Sequence, residues 1–312
     1  MQYEWINIVA SMSSDYTFIH FHHRFNNKLE LNTLPENLTT LIFGNHFNQK
    51  IEPNTLPENL TTLVFGFYFN QKIESNTLPK NLTTLVFGHD FNQKIDPNNL
   101  PINLTCLTFG LEFNQKIEPN TLPKSITTLD LGSDFNQEID PNTLPENLIT
   151  LNFGWRFNQK IEPNTLPEKL TTLNFGYQFN QKIKPNILPK NLTTLIFGKF
   201  NGKIDPKILP SNLKNIVFNW ELFDKNDVSI EHIKMINNIP GYYRVEIFSH
   251  KNIFGIGKSK WPIHVYRYDE TDWPSEIYEI QDKYIHSIYG PIIVLINKET
   301  YQPYSFAKSA IK

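Results

Sequence analysis

The apolar residues of this chain repeat with a period far longer than that of any single helix or strand. Phe-Asn stands at residues 25, 47, 69, 91, 113, 135, 157 and 179, always 22 apart, and a ninth copy at Phe200 comes one residue early. Between copies the unit reads L-x-x-L-x-F-G-x-x-F-N-Q-K-I-E-P-N-T-L-P-x-N, as in Leu60 to Asn81, where Ser75 takes the place of the proline. Within Thr62-Leu63-Val64-Phe65, Leu63 and Phe65 lie two apart, the spacing that puts both on one face of a strand. The rest of the unit adds Phe69, Ile73, Leu78 and Leu82 as further inward positions. Pro53 and Pro57, and similar pairs in most units, remove backbone donors and forbid helix upstream, so the return limb is predicted to be extended or turn-like.

A 22-residue unit cannot bury its apolar face alone, so the pattern predicts coils stacked into a solenoid, each strand pairing with the next and each Phe packing against its own copies. Shifting Leu38, Leu41 and Phe43 back by one period lands on Tyr16, Ile19 and Phe21, a degenerate first unit of the kind that caps an array. The expected parallel sheet has about ten strands, the first near 17–21 and the last near 214–218. Three regions follow: a lead-in over 1–15, the solenoid over 16–219, and a further module over 220–312. In the last, Ser229 is a credible cap for a helix over 230–237. Strand-like runs follow at 242–248, 263–268, 277–280 and 291–296, which reads as a small α+β module covering the open end of the array.

The repeat, carried by Phe69, Asn70 and Ile73 and by Phe47, Asn48, Ile51 and Pro53, resembles the FNIP repeat, a relative of leucine-rich repeats found in slime moulds and giant viruses of amoebae. The resemblance implies a leucine-rich-repeat-like solenoid that binds proteins, and it implies no catalytic residues. Members can carry an F-box before the repeats; the fifteen or so residues ahead of the first strand are too few for one.

Composition narrows the function further. Over 312 residues, 39% are hydrophobic and 19% charged, as in a protein with a real core. The net charge of −2 leaves no electrostatic footprint for nucleic acid or an anionic membrane. A single cysteine, Cys106, excludes an internal disulfide framework and suits a reducing compartment. Met1 to Ser14 has no basic leader and interrupts its apolar stretch with Glu4, so it does not read as a signal peptide. No apolar run approaches the roughly 18 residues of a spanning helix. A cytoplasmic protein is expected (host cytoplasm if viral), and in it Asn37-Leu38-Thr39 and its copies are repeat consensus rather than glycosylation sites.

Four places carry residue types with possible chemistry. Gly255-Ile256-Gly257-Lys258-Ser259 resembles the end of a phosphate-binding loop, but Asn252 replaces its first glycine and no helix start follows. His20, His22, His23 and His46 gather near the first coils without a Cys or carboxylate to complete a zinc site. Asp269, Glu270 and Asp272 form a solvated turn, and Cys106 replaces the exposed threonine of Thr62 and Thr84. The Asn of each Phe-Asn is expected to satisfy turn amides between coils. The column of Lys50, Lys72, Lys94 and Lys116 is offset by that of Glu52, Glu74, Asp96 and Glu118, a salt-bridged flank. Neither a catalytic constellation nor a cofactor or metal site is expected.

What varies between units is the outward strand residue and the pair after the glycine. These positions include Val64, Phe67, Tyr68, His89, Asp90, Glu112, Asp130, Asp134, Trp155, Arg156 and Tyr177, an aromatic and acidic strip on the concave side. Exposed aromatics of this kind are enriched at binding hot spots. The sequence therefore predicts a monomeric, non-enzymatic scaffold that binds a protein of some basic character. Rival readings are an enzymatic or ligand-binding activity in the module after residue 220, and a self-associating structural protein.

Overall fold

In the computed structural model of the chain, the described residues are 9–197 and 206–218, with strand segments at 244–249, 261–266 and 294–295. Ten short strands stack in register: Phe18–Phe21 (β2), Thr40–Ile42 (β3), Thr62–Val64 (β4), Thr84–Val86 (β5), Cys106–Thr108 (β6), Thr128–Asp130 (β7), Thr150–Asn152 (β8), Thr172–Asn174 (β9), Thr194–Phe197 (β10) and Asn215–Phe218 (β11). Every neighbouring pair among them is parallel, and residues one period apart face each other, as Leu41, Leu63 and Leu85 do. The described residues contain no α-helix, only a single 3-10 turn at Pro206–Ile208. This is the leucine-rich-repeat-like solenoid with a non-helical back that the period and the prolines require.

One strand departs from the expected lead-in. Val9–Met12 (β1) pairs antiparallel with β2, placing Val9 opposite Phe21 and Met12 opposite Ile19. It covers the edge of the first coil, whose unpaired N–H and C=O groups would otherwise be open to another chain. At the other end, Arg244–Ser249 (β12), Trp261–Tyr266 (β13) and Val294–Leu295 (β14) follow β11 in the sheet order, overlapping three of the four expected strand-like runs. The expected helix over 230–237, the strand over 277–280, and the loops at 255–259 and 269–272 lie outside the described residues.

The inward parity is as read: Leu63, Phe65, Phe69, Ile73, Leu82 and their copies are buried in one continuous core. In the coils of β2 to β9, except that of β7 where Leu131 replaces the first ring, two phenylalanines lie flat on one another, as Phe65 and Phe69 do at 3.7 Å between ring centroids. Each then stacks on its counterparts in the adjacent coils, Phe47 on Phe69 at 6.0 Å and Phe69 on Phe91 at 6.2 Å. A ring deleted from this column loses partners on three sides.

The back of each coil is a series of turns. Thr55 N–H donates to the Glu52 carbonyl across Pro53 and Asn54, and Asn54 is left-handed with φ of 63°. Proline followed by a residue at positive φ is the signature of a type II turn, which asparagine tolerates where no glycine is present. The Asn of Phe-Asn forms the expected column: Asn70 N–H donates to Asn48 Oδ1 at 2.9 Å, and the same oxygen accepts from Gln71 Nε2. The asparagines of the Asn-Leu-Thr triplets are likewise spent between coils, Asn59 and Asn81 donating to the Glu36 and Glu58 carbonyls. The lysine and acid columns interleave, with Lys72 Nζ 3.1 Å from Asp96 and Lys116 Nζ 3.0 Å from Asp140. Those hydrogen bonds raise both lysines above their ordinary pKa.

One column is left unsatisfied. The buried hydroxyls of Thr55, Thr77, Thr121, Thr143 and Thr165 have no hydrogen-bonding partner among the described residues. At the equivalent position Asn99 uses both ends of its amide, donating to the Ile73 carbonyl and accepting from Ser75 Oγ. Ser75, which replaces the usual proline, and Asn99 are thus one paired change.

Candidate functional site

The strip begins where the strands end. The glycine after each strand is imposed by packing: a Cβ built on Gly88 would lie 1.7 Å from the Gly66 carbonyl oxygen, and one on Gly154 would lie 1.6 Å from that of Gly132. No side chain fits between backbones that close. The two residues after the glycine continue the ladder between coils, since Tyr68, Asp90, Glu112, Asp134, Arg156 and Gln178 donate their N–H groups to the carbonyls of Asn45, Phe67, His89, Leu111, Ser133 and Trp155. Side chains on this ridge therefore stand in two ordered columns rather than on mobile loops.

The structure sorts the expected site residues into two clusters four coils apart, about 19 Å at the usual strand spacing. In the first, Phe67 lies flat on His89 at 4.2 Å and edge-on to Tyr68 at 4.9 Å, and Tyr68 meets His46 at 5.2 Å. Phe67 is 40% exposed and Tyr68 45%. His89 Nδ1 is 2.7 Å from Asp90 Oδ1 and 3.8 Å from Glu112 Oε1. In the second, Trp155, 45% exposed, lies flat on Tyr177 at 4.0 Å. Beside it Arg156 Nε is 3.2 Å from Asp134 Oδ1. Leu111, 51% exposed between the two clusters, belongs to the same column and was not singled out in the sequence.

Two expected members take another place. Val64 is half-buried on the sheet face between Ile42 and Val86, so it presents a flank rather than a free side chain. Asp130 is held by its own turn: its Oδ1 accepts the Gly132 N–H at 2.9 Å and its Oδ2 accepts Asn152 Nδ2 at 2.9 Å. Asn152 and Asn174 accept the Gly154 and Gly176 N–H groups in the same way. These three glycines have φ of 80°, 87° and 81°, whereas the glycines following Ile42, Val64, Val86 and Thr108 do not have positive φ. In those earlier coils a backbone bond closes the turn instead, from Phe47, Phe69, Phe91 and Phe113 N–H to the carbonyls of Gly44, Gly66, Gly88 and Gly110. The Asp/Asn-x-Gly spacing was the available signal for the capped turns.

The N-terminal histidines do not converge as a set. His22 and His23 rings are 4.0 Å apart and His23 reaches His46 only at 6.4 Å. Desolvation, then the charges of His22, Arg24 and His46, lower the His23 pKa. Cys106 is half-buried rather than exposed, and burial with the Asp130 carboxylate raises its thiol pKa, which leaves it a poor nucleophile. Among the described residues no helix is long and apolar enough to cross a membrane.

Comparison with known proteins agrees with this geometry. Among curated proteins none matches. Among solved structures the chain is similar to one described as CroV588, a novel circular LRR protein, with 49% identity and a TM-score of 0.64. The match covers 67% of this chain and 31% of that one, so it spans less than a third of the longer protein. The family model of the FNIP Repeat matches four consecutive blocks, residues 25–68, 69–112, 113–156 and 157–200. This chain belongs to the FNIP repeat family.

Proposed function

We propose that the chain is a non-enzymatic protein-interaction scaffold whose post-glycine ridge docks a partner of basic character through its two aromatic clusters. Solenoids of stacked repeats commonly serve as such scaffolds. The observation that carries the reading is the ordered exposure of Phe67, Tyr68 and Trp155: the repeat asks only for any residue there, yet large rings stand half in solvent. Each is held by ring contact with a neighbouring side chain, stacked for Phe67 and Trp155 and edge-on for Tyr68, so less side-chain entropy remains to be lost when a partner covers it. Asp90 and Glu112 give the ridge its acidic character, which steers encounter more than it holds the complex. Asp130 and Asp134 contribute less, the first spent on its turn and the second on Arg156.

The test compares capture of protein partners from the native cell by the wild-type chain and by Phe67→Ala and Trp155→Ala variants that melt normally. Each substitution is expected to weaken the captured complex by about 2 kcal/mol or more, around thirtyfold. A partner held equally well by both variants moves the interface off this ridge.

A further inference from the structure

Among the described residues, His89, Asp90 and Glu112 are the one group of three whose ligand-bearing atoms all lie within 4.8 Å of one another. Two donors each about 2.1 Å from a tetrahedral zinc ion are about 3.4 Å apart. His89 Nδ1 is 2.7 Å from Asp90 Oδ1, a hydrogen bond that a bound ion would replace, and 3.8 Å from Glu112 Oε1, so small side-chain adjustments bring both carboxylates to that separation. The backbone sets the three in place, because Asp90 and Glu112 N–H groups donate to the Phe67 and His89 carbonyls, each at 2.9 Å. The Phe67 ring lies over the imidazole with only 12° between planes, which restrains the plane in which the ring nitrogens lie.

A second observation concerns charge. Along the strip and flank, Asp96, Asp134 and Asp140 each have a lysine or arginine within ion-pair distance, while Asp130 and Glu118, among the described residues, have none. Asp90 and Glu112 occupy one column on adjacent coils, and among the described residues neither has such a partner; their one ion-pair contact is His89. Like charges one strand apart are unfavourable, and a cation between them removes the repulsion. We propose that His89, Asp90 and Glu112 bind a divalent transition-metal ion of the zinc class. One imidazole nitrogen with two carboxylate oxygens suits zinc, cobalt or nickel better than the all-oxygen shells of calcium or magnesium. The solvent side of the ion is left open to water. The assignment does not rest on the partner-binding reading, and a bound ion would neutralise the Asp90 and Glu112 carboxylates that steer a basic partner there, so the two readings are tested separately.

The experiment titrates the full chain with Zn²⁺ by calorimetry and with Co²⁺ by its visible absorption. One equivalent is expected to bind, with an imidazole-nitrogen signature in the cobalt spectrum. Loss of even a group supporting a ligand weakens metal binding by about 10- to 100-fold, so His89→Gln and Glu112→Gln should each weaken it by at least about tenfold while melting normally. His23→Gln is expected to change nothing. Absence of a saturable equivalent, binding that survives both His89→Gln and Glu112→Gln, or binding that follows His23→Gln to the N-terminal histidines would each overturn the assignment.

Discussion

In the coils of β3 to β6 the residue two before the glycine is Ile42, Val64, Val86 or Thr108, and the turn that follows closes through the backbone. In the coils of β7 to β9 it is Asp130, Asn152 or Asn174, the side chain takes the glycine N–H, and the glycine swings to positive φ. The sheet ladder runs through the change undisturbed: Phe87 N–H donates to Thr108 and Leu131 N–H to Asn152 in the same relation. One side chain therefore changes together with the turn conformation while the core and ladder stay as they are. The glycine makes this possible. It is present because the backbones approach too closely for a Cβ, and its freedom at positive φ leaves both turns open. The first aromatic cluster stands on turns of the backbone-closed kind and the second on turns of the side-chain-capped kind.

If the two regions share one core, deleting equivalent rings should cost the same in each. Phe91 and Phe157 are both fully buried, each flat on a partner within its coil and stacked between two copies. Phe91→Ala and Phe157→Ala should each lower stability by about 3–5 kcal/mol in urea unfolding. A markedly smaller loss at Phe157 would show that the change of turn loosens the core beneath it.

Asp130→Val tests the capped turn from the other side. It removes the acceptor of the Gly132 N–H and of Asn152 Nδ2, a loss of about 1–2 kcal/mol by the usual cost of half-buried polar groups left unpaired. The turn has somewhere to go, since Gly132 can adopt the form seen at Gly88. Hydrogen exchange should then show the Phe135 amide newly protected by the Gly132 carbonyl, a bond absent from the wild-type turn. Unchanged exchange at Phe135 would mean the turn is set by its coil rather than by residue 130.

The column of unpartnered hydroxyls passes through both regions, Thr77 in the first and Thr143 in the second. Replacing an unsatisfied buried hydroxyl by a methyl group of the same shape removes a cost and no bond. Thr77→Val and Thr143→Val should each leave stability unchanged or raise it by up to about 1 kcal/mol. A loss at either position would place an ordered water on that hydroxyl.

The repeat made most of the fold legible, and its copies explain why. Leu63, Phe65 and Phe69 declare their face because the same three positions recur coil after coil, and the prolines exclude a helical back with equal regularity. β1 carried no such redundancy: Val9 to Met12 occurs once, and its antiparallel pairing with β2 is a tertiary event that no local pattern announces. The strip was half legible. Phe67, Tyr68 and Trp155 stand exposed as read, because departures from a repeat fall where the scaffold makes no demand. Asp130 is engaged in its own turn instead, since a change of turn also looks like freedom when only variation is read. The approach of His89 to Glu112 needed the coil register, which brings residues 23 apart side by side.

The smallest expected effect is the sharpest test of the comparison. Val86→Asn places a capping side chain in the backbone-closed region, two residues before Gly88. The change removes a half-buried apolar side chain from beside Val64 and Thr108, and gives up the Phe91 N–H bond to the Gly88 carbonyl. In return, the new amide can accept the Gly88 N–H as Asn152 accepts that of Gly154. Each hydrogen bond has a net worth of about 1 kcal/mol, so one lost and one gained cancel, and the half-buried valine leaves a net loss of no more than about 1 kcal/mol. So small a change in stability would not identify the turn, but two spectroscopic signs should. The Phe91 amide should exchange faster, and couplings at Gly88 should report positive φ. Both signs at near-constant stability would establish that residue 86 selects the turn. Faster exchange without the change at Gly88, or a loss of more than about 2 kcal/mol, would assign the turn to the path of the coil and leave the asparagines as its followers.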